Sequence, residues 1–324
     1  MTNVKAIRQR GYGAPGKVLR LEEVERPVPA DDEVLVRVYA SSVNSIDCRL
    51  ARATPFVVRL MGGLRAPSNP AFGRDAAGVA EEVGKAVTDV AVGDEVFGAR
   101  VGAFGEYVAG KNFVRKPANL SFEQAAAMPI ASLTALQAVR DSGHVGPGDR
   151  VVINGAGGGV GTFAVQLAKA LGAHVTGVTA ADKVKLVKDA GADEVIDRRT
   201  TDYTRPAKYD VIVDCGGDRS LSANLRALTA GGRFVVVGAH KGVLRKAMYG
   251  SLRRRLLKQS IVFVQATVNR SDLETVHAMV EAGDVMPVID RVFPLDRAAQ
   301  AVAYAETHQA SGKVVVSVVP AERD

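Results

Sequence analysis

Hydrophobic and polar positions along this chain follow two different rhythms. From about residue 4 to 115 the apolar residues come in short, Val-rich runs broken by Gly, Asp or Pro, as in "DEVLVRVYASSVN", "GVAEEVG", "GDEVFGA" and "GEYVAG". Runs of that length between turn formers predict strands. Near residue 122 the spacing turns helical. The stretch "SFEQAAAMPIASLTALQAVRDSG" is Ala-rich, and Ser121 with Gln124 predicts a capping box.

A strict alternation starts at residue 150. Strand-like runs stand at "RVVIN" (150–154), "HVTGV" (174–178), "EVID" (194–197), "YDVIVDC" (209–215), "RFVVVG" (233–238) and "SIVFVQA" (260–266). Between them lie helical stretches: "TFAVQLAKALGA", where Ala164, Leu167, Ala168 and Leu171 share a face, then "DKVKLVKDAG" and "RSLSANLRALTAGG". Six strands alternating with helices predict an α/β fold with a doubly wound parallel sheet. Two further helical stretches, "DLETVHAMVEAGDV" and "DRAAQAVAYAETH", and a strand "KVVVSVV" exceed what that sheet needs. They are expected to return to the first domain, which gives a β-rich domain over 1–122 and 267–324 and a nucleotide-binding domain over 123–266.

Composition narrows the class. With 324 residues, 47% apolar and 24% charged, the chain reads as an ordinary globular protein with room for two cores. No apolar run approaches a membrane span and the N-terminus lacks a signal-peptide core, so a cytoplasmic protein without membrane contact is expected. Two cysteines, Cys48 and Cys215, allow no disulfide framework and no four-cysteine zinc site. The five histidines show no ligand spacing. The net charge of +7 includes a cluster at Arg253, Arg254, Arg255 and Lys258. Met248, Leu252 and Leu256 recur every four residues beside it, which favours a solvated basic helix face over a nucleic-acid patch. A general positive excess also suits a multiply anionic cofactor.

The segment "INGAGGGVG" (153–161) holds the first chemistry. It lies between a predicted strand and an amphipathic helix, and its best register is Ala156-x-Gly158-x-x-Gly161. Gly155 supplies the tight turn and Gly158 lets the backbone approach a pyrophosphate. Gly161 lets helix and strand pack closely, and Gly159 and Val160 complete the turn at the helix N-terminus. The absence of a Gly-Lys-Ser/Thr ending argues against a nucleoside triphosphatase. At the tail of the second strand, where an NAD-binding chain usually carries Asp or Glu, this chain has Thr179. A carboxylate there would repel a 2′-phosphate, so the neutral residue favours NADPH. Lys183 and Arg198 can supply positive charge, or can be ordinary solvated cations. Asp182 reads as a cap for the next helix.

The whole chain resembles the medium-chain dehydrogenase/reductase superfamily, and within it the zinc-independent quinone oxidoreductase branch. The resemblance is carried by "SSVNSIDCRL", "FGRDAAGVAEEVG", "VGDEVFGA", "KPANLSFEQAAAMPIASLTALQAV" and "NGAGGGVGTFAVQLAKALGAHVTGV". It implies a β-rich GroES-like catalytic domain beside a Rossmann domain. Where zinc-dependent relatives hold their metal, this chain has Asn44, Arg74 (in Gly73-Arg74-Asp75) and a position near Ile130. Cys48 does not align with a ligand, and an arginine would repel Zn²⁺. The lobe for structural zinc, "VGDEVFGARVGAFGEYV", has no cysteine, so no metal is expected.

Without a Lewis acid, alcohol oxidation loses its alkoxide stabiliser. Hydride delivery to a quinone or an α,β-unsaturated carbonyl needs less, because the conjugated carbonyl takes the developing charge and the protein supplies positioning and a hydrogen-bond donor. The resemblance implies that donor role for Asn44. Asp47 orients neighbouring groups, or serves as a turn cap or salt-bridge partner. Asp75 is expected to pair with a base, Arg74 being adjacent. Thr134 matches a position that reaches the nicotinamide or its ribose, or is a helix residue bonded to its own backbone. Lys313 matches a base leaning on the pyrophosphate, and Gly238 ends a strand at the ligand-binding edge. Loops 50–70, with Phe56, Leu60, Met61 and Leu64, and 239–250 are expected to shape the substrate site. A homodimer through "SIVFVQA" is expected by the same resemblance. The expected function is NADPH-dependent reduction of quinones or enones. A metal-free alcohol or aldehyde reductase and a non-catalytic NADPH-binding relative stand as alternatives.

Overall fold

A computed structural model describes residues 2–54, 57–205, 208–238 and 258–319. The chain forms two compact units: one runs up to Ile130 and resumes over Val268–Glu281 and from Pro287 onward, the other covers Ala131–Thr267 and Ala282–Met286.

The first unit opens with β1 (Asn3–Gln9), α1 (Pro15–Val18) and β2 (Leu19–Glu25), the two strands pairing antiparallel. There follow β3 (Val34–Val43), α2 (Ser45–Arg52), α3 (Val57–Gly62), β4 (Asp75–Val83), β5 (Glu95–Ala99), β6 (Tyr107–Gly110) and β7 (Phe113–Arg115). The alternating Val and small residues of β3 to β5 bury one face in a cluster that includes Val34, Val36, Val38, Ala76, Val96 and Phe113. α4 (Phe122–Ala126) starts at Ser121, whose hydroxyl accepts from the Gln124 N–H while the Gln124 amide oxygen accepts from the Ser121 N–H, as the capping-box pattern predicts. α5 (Pro129–Leu136) continues into a wider π turn over Gln137–Ser142.

The second unit is the predicted alternation: β8 (Arg150–Asn154), α6 (Gly159–Ala170), β9 (His174–Thr179), α7 (Val184–Asp189), β10 (Glu194–Asp197), β11 (Tyr209–Asp214), α8 (Leu221–Ala227), β12 (Leu228–Val237) and β13 (Ser260–Val264). All five pairings are parallel, in the order β10-β9-β8-β11-β12-β13. This is the doubly wound order, with its reversal between β8 and β11. Those central strands read as unbroken apolar runs because both faces are covered, and Val151, Val152, Ile153, Val211, Ile212 and Val213 are fully buried. One boundary differs from the sequence reading. The helix expected through Gly232 ends at Ala227, and β12 begins at once with Leu228. Thr229, Gly231 and Gly232 are poor helix formers, and Leu228 is buried in the sheet core.

The chain then returns to the first unit with α9 (Arg270–Glu281), β14 (Ile289–Pro294), α10 (Ala298–Glu306) and β15 (Lys313–Ser317). There β15 inserts between β14 and β3, completing a sheet ordered β14-β15-β3-β4-β5-β7, with β6 also paired to β3. Among the described residues no helix is long and apolar enough to cross a membrane. The Met248–Leu256 stripe, its arginines, Phe56 and the loop 239–250 lie outside the described residues, as do their expected roles. Leu60 and Leu64 are exposed.

Candidate functional site

Three adjacent strands of the first unit bring distant residues to one point. Register sets Ser42 opposite Asp75 and Val43 opposite Val314, so the end of β3 meets the start of β4 on one side and the start of β15 on the other. Asn44, the first residue past β3, has extended backbone and is the N-cap of α2. Its side chain is fixed at both ends: Nδ2 donates to Asp75 Oδ2 at 2.7 Å, and Oδ1 accepts from Lys313 Nζ at 2.7 Å. One Asn44 amide N–H remains for another acceptor.

Asp75 is fully buried and pairs with other groups than the adjacent Arg74 expected from sequence. Its Oδ2 accepts from Ser42 Oγ at 2.6 Å, from Asn44 and from Lys313 Nζ at 3.4 Å, while Oδ1 accepts from the Ile130 N–H at 3.0 Å. Lys313 of β15 is the cation that faces its carboxylate, and Ser42 and Asn44 add neutral donors. Lys313 is 3% exposed and donates to the Val43 carbonyl, Asn44 and Asp75, so its three N–H bonds meet three oxygens within the first unit.

Asp47 accepts from the Asn44 backbone N–H at 2.8 Å and stands 3.8 Å from Arg74 Nε. The turn-cap and ion-pair readings thus describe one residue. Burial dominates its titration and pushes its carboxyl up to about 7, with Asp75 adding to the rise and the Asn44 N–H and Arg74 opposing it. Cys48 follows in the same helix. Burial, with Asp47 next, pushes its thiol up to about 12, so it stays protonated at neutral pH.

Among the described residues, Arg74 touches this network only through Asp47. Its Nε is buried and has no acceptor among the described residues. It lines a cavity of about 270 Å³ with Arg100, Lys111, Asn112 and Ile130. Backbone bonds tie the walls together, the Arg100 N–H donating to the Arg74 carbonyl at 2.7 Å. Among the described residues no group of His, Cys, Asp and Glu could hold a metal ion. Asn44, Arg74 and Ile130, which the resemblance matched to ligand positions, are an amide already engaged, a cation and a backbone N–H donor to Asp75.

In the second unit the glycine loop is built as its spacing suggests. Gly155 has φ +84°, a conformation that favours glycine. A Cβ on Gly161 would lie 2.1 Å from the Gly155 carbonyl oxygen, so loop and helix touch through the missing side chain. A Cβ on Gly158 would meet only that same oxygen, at 3.4 Å, and otherwise open space. Gly158 caps α6, and its helix leads with Gly159 and Val160, whose N–H groups have no intrahelical acceptor. The loop therefore fits a pyrophosphate approaching the N-terminus of a twelve-residue helix.

Thr179 ends β9 and is buried. Its carbonyl accepts from the Arg198 N–H at 2.9 Å, which fixes the exposed Arg198 beside it. Lys183 is buried rather than solvated, because its methylenes cover Gly157: a Cβ there would lie 2.9 Å from Lys183 Cδ and 2.7 Å from Thr179 Oγ1. Asp182 is exposed and caps neither the short turn over Ala181–Lys183 nor α7, a correction to the sequence reading. Those starts have Ala180 and Lys183 at the cap positions. Thr134 is half-buried in α5, and Gly238, at φ +82°, turns the chain at the end of β12.

Sequence reasoning missed Gly157, whose lack of a side chain makes room for Lys183. It also missed Arg219, which follows β11 and donates to the Arg198 carbonyl at 3.2 Å. The five-glycine window pointed to the first, but nothing local marked the second.

Comparison with known proteins adds the family context. Residues 30–118 match the alcohol dehydrogenase GroES-like domain, and residues 190–316 match a zinc-binding dehydrogenase domain. The quinone oxidoreductase of Sus scrofa is 32% identical over 313 residues, covering 92% of both chains. The quinone oxidoreductase structure from Coxiella burnetii superposes with a TM-score of 0.86 at 28% identity, over 98% of this chain and all of that one. The CurK enoyl reductase structure gives 0.86 at 26% identity, over 97% and 99%.

Proposed function

Because the chain belongs to the medium-chain dehydrogenase/reductase superfamily, in its quinone oxidoreductase-like branch, a family of pyridine-nucleotide-dependent oxidoreductases, we propose that it is an NADPH-dependent, metal-free reductase of quinones or α,β-unsaturated carbonyls. The observation that carries this reading is the wiring of Asn44. Asp75 and Lys313 hold its side chain, and one amide N–H is left to donate. A neutral donor already fixed in place loses little on meeting a developing enolate or hydroquinone oxygen.

The nicotinamide, when bound, supplies the hydride. The rest falls to the chain. Gly155, Ala156, Gly158, Gly159, Val160 and Gly161 present the helix N-terminus to the pyrophosphate, and Thr134 and Gly238 contribute to the same nucleotide site. Thr179, Lys183 and Arg198 form the end that favours a 2′-phosphate, supported by the lack of a carboxylate at Thr179 and by Arg198 being fixed to its carbonyl. Lys313 and Asp47 act as positioning residues, through the Asn44 side chain and backbone respectively. Metal independence is supported by the donor set: Asn44 and Arg74 offer no anionic ligand.

The test is NADPH oxidation with naphthoquinones and enones beside simple aldehydes, before and after exhaustive chelation. Turnover of the conjugated acceptors that survives chelation and prefers NADPH to NADH supports the reading. Turnover of aldehydes alone, or loss of activity on chelation, overturns it. We further propose a homodimer through β13, an edge strand of its sheet with Phe263 42% exposed. Light scattering that finds only monomer at working concentration overturns that part.

A further inference from the structure

The cavity beside the Asn44 cluster has an unusual charge balance. Three cations line it, Arg74, Arg100 and Lys111, and no carboxylate does. Two are held from outside the cavity: Arg100 by Glu33 at 3.5 Å and Lys111 by Asp32 at 2.5 Å. Arg74 is paired more loosely, its Nε 3.8 Å from Asp47 Oδ1. No guanidinium N–H of Arg74 finds an acceptor among the described residues, and the nearest carboxylate, on Asp47, is 3.8 Å from Nε, beyond hydrogen-bond range. Asp47 titrates near 7, so at neutral pH it offers Arg74 only part of a negative charge. A buried donor without an acceptor is costly, and a planar guanidinium is the side chain best matched to a two-oxygen anion.

We propose that the acceptor reduced by this protein carries an anionic group, a carboxylate or its phosphate or sulfonate equivalent, and that Arg74 receives it with help from Arg100 and Lys111. The proposal rests on the reductase reading and names its substrate class. Continuity with the site supports it: Ile130 lines the cavity while its N–H holds Asp75, the residue that fixes Asn44. In this proposal the acceptor's conjugated carbonyl lies at Asn44 and its anion at Arg74. Beside the cations and the Asn112 amide, Ala99, Val101, Ile130 and Val268 give the wall apolar surface that suits a carbon skeleton. Arg74 is thus a specificity residue.

The experiment compares a naphthoquinone sulfonate with its unsubstituted parent quinone as acceptors for the full-length protein, with NADPH as donor. The wild type is expected to favour the sulfonate in kcat/KM. Arg74→Gln is expected to cut that preference by about tenfold to a hundredfold, the range for hydrogen bonds to a charged group. Arg74→Lys should recover part of it, keeping the charge without the fork. The double variant Arg100→Gln/Lys111→Gln alters side chains more than half exposed, and should lower the preference and its salt sensitivity even if Arg74→Gln does not fold.

Equal losses on both acceptors overturn the proposal. So does an unchanged ratio with weaker NADPH binding by fluorescence titration, which assigns the anion to the nucleotide. Calorimetry with naphthalenesulfonate and no nucleotide separates the two readings. If no quinone is turned over but the sulfonate binds wild type and not Arg74→Gln, the reductase reading fails and the anion site stands. If the quinones are turned over and naphthalenesulfonate does not bind, the anion site fails alone.

Discussion

Asp47 shows how one residue can tie stability to pH. Its folded value of about 7 lies above the ordinary aspartate value, so the folded state holds the proton more tightly than the unfolded state. Stability from this group is therefore full below the unfolded value, about pH 4, and falls as pH rises towards 7. Replacing it by Asp47→Asn keeps an acceptor for the Asn44 N–H and removes the titration. Relative to wild type, this variant should gain stability between about pH 5 and pH 8, by at most about 4 kcal/mol, the full separation of the two values. Urea melts across that range check it, and a difference that does not move with pH counts against it. Lys313 makes a second case. Lys313→Met leaves Asp75 buried without its cation, and loss of one partner from a buried pair costs about 3–5 kcal/mol. A loss under about 1 kcal/mol in the same melts would show that Ser42, Asn44 and Ile130 suffice. Sequence alone made Asn44 and Arg74 conspicuous, because each stands inside a local motif. It could not show that Lys313 closes on Asn44, since the two are 269 positions apart and only the pairing of β15 with β3 joins them.

At the scale of elements, the glycine loop separates two jobs that one motif performs. Gly161 serves packing, and the proposed function gives Gly158 the part of access. Gly161→Ala drives a methyl to within 2.1 Å of the Gly155 oxygen and must lift α6 from the loop. Overpacking of that kind costs about 1–3 kcal/mol, and nucleotide affinity should fall with it. Gly158→Ala meets only one contact at 3.4 Å, so its melt should stay within about 1 kcal/mol of the parent, the ordinary cost of alanine at a cap. Its nucleotide affinity should still fall at least about tenfold, because the methyl occupies the face open to a phosphate. Titration of nucleotide fluorescence beside thermal melts distinguishes the two variants. Equal stability losses would erase the distinction. The loop, the capping box at Ser121 and the six strands were legible because each has a local rule behind it. The end of α8 was not, since the strand that replaces its last turn is selected by the burial of Leu228 in the sheet.

At the scale of the molecule, the first unit is assembled from both ends of the chain while the second is nearly continuous. Sequence exposed that plan through surplus elements after residue 266, but not the insertion of β15 between β14 and β3. Ending the chain before β14 should leave the end of β3, Ala40–Val43, without its β15 neighbour and the Asn44 side chain without its lysine. Such a truncation should retain the protease resistance of residues 150–264 and lose that of the first unit. Survival of both under limited proteolysis would count against this account.

The late arrival of β15 also bears on how the protein is made. A chain leaving the ribosome exposes the end of β3 early, yet the lysine that fixes Asn44 lies 269 positions later. All six strands of the second unit emerge before that point, so its glycine loop can form while the first unit is still unfinished. Every nascent chain thus passes through a stage in which the second unit has all its strands while Asn44 still lacks its lysine, and translation itself orders the two events.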